Sequence, residues 1–102
     1  MLIKTVEKDN IQELKESLYF CCKITRVGMK VFKLLQPQKI EVFQYPRGGA
    51  LCIYKDSRHL VVYTVLNPQM KGVITENGVY VDLLHNIDSA KQKLEDLFNK
   101  LS

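Results

Sequence analysis

A chain of 102 residues is long enough for one hydrophobic core and too short for two, so a single domain over residues 1–102 is expected. Its 46% hydrophobic and 25% charged residues exclude wholesale disorder, and no apolar run approaches the roughly 20 residues that cross a bilayer. The net charge of +4 is unevenly placed: residues 1–58 hold 11 Lys/Arg against 6 Asp/Glu, and residues 59–102 hold 4 against 5, which makes an anionic partner worth testing.

The start, Met1 to Thr5, lacks the basic region and long apolar stretch of a secretory signal, so a cytoplasmic address without a membrane is the expectation. Cys21, Cys22 and Cys52 provide neither an even disulfide framework nor metal-finger spacing. They read as small buried hydrophobes, with a thiol role as the alternative, and no metal or cofactor is expected.

In chain order, Leu2–Val6 predicts a short edge strand. Asp9 is a fitting N-cap with Gln12 three residues on, and Ile11, Leu14, Leu18 and Cys21 recur at helical spacing. The spacing resumes at Ile24, Val27, Val31 and Leu34 or Leu35, until Pro37 closes the segment. Gly28 weakens it by about 1 kcal/mol relative to alanine. Residues 9–36 are therefore one long, weakened helix or a helical hairpin; the hairpin, broken near Cys22–Thr25, is preferred.

From Lys39 the period falls to two. Lys39–Tyr45 places Ile40 and Val42 on one side and Phe43 and Tyr45 on the other. Pro46-Arg47-Gly48-Gly49 reads as a loop with two residues free to take positive φ. Ala50–Lys55 is the next strand, and Asp56-Ser57-Arg58 a tight turn. His59–Leu66 (HLVVYTVL) is apolar on both faces, as a buried central strand is. Asn77-Gly78, between Val73-Ile74 and Val79-Tyr80-Val81, signals a type I′ hairpin. Ile87, Ala90, Leu94, Leu97, Phe98 and Leu101 form one face of a final helix, capped by Ser89 with Gln92 or by Asn86. The sum is an α+β fold, an antiparallel sheet of four to six strands with an N-terminal helical hairpin and a C-terminal helix packed on it.

Candidate functional residues are cations first. Lys23, Arg26, Lys30 and Lys33 fall within an arc of about 80° on a helix, with no acid between residues 17 and 40, and such a ridge can track a phosphate backbone. The bland alternative is a solvated face in a lysine-rich chain, with 12 lysines to 3 arginines. Arg47, beside two glycines, is a second anion ligand by type, although a plain hairpin turn needs no ligand and is the preferred reading of the segment. His59 and His85 stand at strand ends, where an acid or base can be scaffolded. Tyr19, Tyr45, Tyr54, Tyr63 and Tyr80 read as core fillers ahead of a stacking platform.

Three short stretches are similar to the RelE/ParE superfamily of small bacterial and archaeal toxins. Arg58-His59-Leu60-Val61-Val62-Tyr63-Thr64-Val65 resembles the family's R-x-L-V/I-x-Y-x-V central strand, and Val79-Tyr80-Val81-Asp82-Leu83-Leu84-His85 its last strand, which often ends in histidine. Leu34-Leu35-Gln36-Pro37 sits where the family's second helix commonly closes. In ribonuclease members the resemblance implies cations on these strands, but Leu51, Ile53 and Leu60 occupy three such positions and Asn86 follows the histidine. A ribonuclease would need Lys55, Arg58, Tyr63 and His85 to converge. Family members that poison a protein target fit better.

The preferred expectation is a small basic binding protein, toxin-like, acting on RNA or DNA or on a protein that handles them. The alternative is a protein–protein adaptor, a viral or plasmid accessory protein, that binds by strand addition at Leu2–Val6 or Lys39–Tyr45. A divergent ribonuclease is third. A homodimer is compatible with each, since small sheets with free edges pair.

Overall fold

The computed structural model describes residues 1–10, 22–65 and 72–101, without the side chains of Cys22, Lys23, Thr25 and Val65. Strand β1 (Leu2–Glu7) leads into a single 3-10 turn, Lys8–Asn10, and helix α1 spans Cys22–Leu35. Strands β2 (Lys39–Tyr45), β3 (Gly48–Lys55), β4 (Arg58–Val65), β5 (Gly72–Thr75) and β6 (Tyr80–Asp82) follow, then helix α2 (Ile87–Lys100). The six strands make one antiparallel sheet in chain order, β1 to β6. Helix α1 lies over β2 and β3, α2 lies over β4 and β6, and the helices touch each other.

The period-two pattern builds the core. Register partners Val6, Ile40, Ile53 and Leu60 form one buried row beneath the helices, and Val42, Leu51 and Val62 form the next. Ile24, Val31 and Leu35 from α1, with Leu94 and Phe98 from α2, close the layer above them. Asn86 caps α2 by accepting the Ser89 N–H at 3.1 Å, so the earlier of the two expected caps is the one used. Ile87 and Leu101, at the two ends of the predicted apolar stripe, are exposed.

Several expectations need correction. The helical hairpin over 9–36 is not supported: the N-terminal segment is strand, Asp9 lies in the 3-10 turn, and α1 runs unbroken through Cys22–Thr25. Ile24 is fully buried over Gly49, so tertiary packing holds a first turn whose β-branched residues favour helix weakly. The stripe Ile11, Leu14, Leu18, Cys21 lies outside the described residues. Gly48 and Gly49 belong to β3, leaving Pro46-Arg47 as a two-residue turn. A Cβ on Gly49 would stand 2.0 Å from Ile24 Cδ1 and 2.6 Å from the Phe43 carbonyl, so close approach of α1 explains this glycine.

The Asn77-Gly78 turn is also of another type. Only Gly78 has positive φ, 80°; its N–H donates to Thr75 O at 2.9 Å, and Thr75 N–H to Val79 O at 2.9 Å. A three-residue loop with glycine in the left-handed region gives this pattern. Strand β2 is paired on both sides, so Lys39–Tyr45 is no edge; among the described strands β1 is, with a bulge between Leu2 and Lys4. Strand β4 is not buried on both faces, since His59 and Tyr63 are exposed.

Candidate functional site

The sheet separates the molecule into two chemically different sides. On the helix side, α1 carries four cations and no acid. Arg26 and Lys33 are exposed, with no side-chain partner among the described residues. Lys30 is half-buried, and its Nζ donates to the Leu83 carbonyl at 2.8 Å, tying α1 to the segment after β6. The Lys23 side chain lies outside the description. Lys8 joins Lys33 around an open hollow between the 3-10 turn and the C-terminal end of α1, lined also by Asp9, Phe32, Gln36 and Pro37. Arg47 is exposed at the β2–β3 tip, two residues from Gly49 and hence beyond the first turn of α1. The expected ridge thus becomes two exposed cations, one tether, and the unpredicted Lys8 at the far end.

Lys55 and Arg58, partners at the β3–β4 tip, point into the helix layer. Lys55 Nζ donates to Leu35 O at 3.4 Å, and Arg58 Nη1 donates to Phe98 O at 3.1 Å and Asn99 Oδ1 at 3.4 Å. Each cation therefore meets the last turn of one helix, where the terminal carbonyls and the negative dipole end favour positive charge. Arg58 Nη2 also pairs with Asp56 Oδ2 at 3.2 Å. Tyr63 lies an odd number of residues from Arg58 on the same strand and faces the other side of the sheet. His85, 63% exposed, has Nδ1 at 3.0 Å from Asp82 Oδ2. Lys55 and Arg58 come together, while Tyr63 does not join them.

On the open side, register aligns Leu2, Phe43, Ala50, Tyr63, Ile74 and Tyr80, one residue from each strand. Tyr45, Tyr63 and Tyr80 are 49%, 41% and 46% exposed, so three of the tyrosines expected in the core instead form surface. The signal was present in sequence, because Phe43 and Tyr45 alternate with Ile40 and Val42. It went unread on β4, where Val61 and Tyr63 make the outer face look as apolar as the inner one.

Beside this row, Tyr54 Oη donates to Glu41 Oε1 at 2.5 Å, and Lys39 Nζ stands 4.1 Å from the Tyr54 ring centroid. The hydrogen bonds to Cys52 and then Glu41 push the Tyr54 hydroxyl well above its usual range. Burial pushes the Cys52 thiol up, against a hydrogen bond from Tyr54 that favours the thiolate. A buried thiol with a raised pKa is a poor nucleophile, so Cys52 serves as the small hydrophobe that its sequence predicts. Among the described residues no group of three or more His, Cys, Asp or Glu could hold a metal ion. None of the described helices is long and apolar enough to cross a membrane.

Comparison with known proteins found no matching family model, no matching curated protein and no matching solved structure.

Proposed function

We propose that this chain is a non-catalytic binding protein for a polyanion, nucleic acid foremost, gripped by the outer surface of α1. The observation that carries the reading is the acid-free helix with Arg26 and Lys33 exposed, continued by Lys8 at one end and Arg47 at the other. Cations spread along a helix neutralise successive phosphates and release their counterions. The RelE/ParE resemblance adds a toxin-like role on nucleic acid or on a protein that handles it. Its ribonuclease form finds no support in the geometry, because Lys55 and Arg58 are engaged at helix ends and Tyr63 is across the sheet.

The test is fluorescence anisotropy of labelled single-stranded RNA and duplex DNA at about 50 and 200 mM salt. Wild type should bind and weaken steeply with salt. Arg26→Glu with Lys33→Glu should abolish binding while leaving the circular dichroism spectrum unchanged. Lys33 is chosen over Lys30, whose reversal would cut the tether to Leu83 and confound binding with folding. Lack of binding at 50 mM salt would defeat the proposal and leave strand addition at the free edge of β1, tested by Thr5→Pro.

A further inference from the structure

Which nucleic acid the basic surface takes follows from where the molecule keeps its aromatic rings. The exposed tyrosines among the described residues, Tyr45, Tyr63 and Tyr80, stand on the open side, across the sheet from α1. Phe32, the aromatic residue of α1, is 4% exposed and packs into the core. Among the described residues, the cationic side therefore offers no exposed ring to a splayed base. Helix α1 also contains no Asn, Gln, Asp or Glu, the side chains that pair with adenine and cytosine edges. What it presents is charge: Arg26 and Lys33 are exposed, about 10 Å apart along the axis and within about 20° of one line. Lys8 and Arg47 continue them at the two ends, which makes about four phosphate contacts. Lys55 and Arg58 add none, being engaged at helix ends, and on α2 Asp88, Glu95 and Asp96 balance Lys91, Lys93 and Lys100.

We infer that the ligand is a duplex, gripped by its phosphates without regard to base sequence, in preference to a single strand; the inference rests on the polyanion reading. A duplex carries one charge per about 1.7 Å with its bases already stacked inside, and a persistence length of about 150 bp keeps those charges in place. A single strand has to be ordered along the helix, and the stacking that offsets this elsewhere, about fivefold to 150-fold per base, needs rings that stand across the sheet. Counterion release sets the size of the preference. Four contacts give a log–log salt slope of about −3.6 on a duplex and about −2.8 on a single strand. With equal affinities at 1 M salt, that difference favours the duplex about tenfold at 50 mM and about fourfold at 200 mM. One or two stacked bases would cancel the margin, so the sign of the preference reports whether rings take part.

The test is fluorescence anisotropy with DNA of about 20 nucleotides, as single strands and as the duplex, in two unrelated sequences between about 50 and 200 mM salt. The duplex should bind about tenfold tighter at the low salt and about fourfold tighter at the high one, with the two sequences within about twofold of each other. Arg47→Gln should lower the duplex slope by about 0.9 with an unchanged circular dichroism spectrum, since Arg47 is exposed at a turn. Single strands that bind as tightly as the duplex, through contacts that Arg26→Glu with Lys33→Glu abolishes, overturn the inference and leave the polyanion reading standing. A difference of more than about tenfold between the two duplex sequences does the same, because phosphates alone carry no sequence information. Absence of binding to every probe at 50 mM salt overturns both.

Discussion

Asp82 organises the passage from β6 to α2 with one carboxylate. Its Oδ1 accepts the N–H groups of Leu84 at 2.8 Å and His85 at 3.0 Å, and Oδ2 meets His85 Nδ1. The backbone bonds from His85 and Leu84 hold its carboxyl down at about 2, against an ordinary 3.8. A folded value below the unfolded one means that stabilisation is fully present above pH 3.8 and is lost as pH falls through about 2. An acid titration followed by circular dichroism should show wild type losing stability across that window. Asp82→Asn should lack that part of the loss, and an unchanged slope would remove Asp82 as its source. The sequence places Asp82 near His85, and spacing alone could not tell a catalytic pair from a carboxylate that fastens a turn. The two backbone bonds to that carboxylate decide for the turn.

At the scale of elements, the contact between α1 and β3 depends on a missing side chain. Gly49 has an ordinary strand role, so its reason lies in Ile24, which occupies the space that a Cβ would take. Gly49→Ala must displace Ile24 and crowd the Phe43 carbonyl, and overpacking of this kind costs about 1–3 kcal/mol. Urea unfolding should show a lower midpoint with an unchanged m-value, because the fold persists with a strained contact. A midpoint equal to that of wild type would mean that α1 rides higher than the 2.0 Å approach requires.

The same contact explains what was legible in the sequence. Alternation exposed the strands, and capping exposed α2, because both are written in neighbouring residues. The two glycines after Arg47 looked like a turn because nothing local announces a helix passing over them. Lys55 and Arg58 looked like free cations for the same reason, since the helix ends that they meet lie 20 and 40 residues away.

For the whole molecule, the decisive property is which side of the sheet each charge occupies, and a linear count cannot supply it. The excess in residues 1–58 mixes cations of α1 with Glu41, which stands across the sheet. If α1 holds nucleic acid, a short oligonucleotide meets the helix layer and leaves the open face of the sheet untouched. Tyr63→Glu should leave its dissociation constant and salt slope within about twofold, because distant sites without shared partners act additively to about 0.5 kcal/mol. Should Tyr63→Glu cost as much short-oligonucleotide affinity as the charge reversal does, the bases must stack on the open face, and the division of labour between the two sides is refuted.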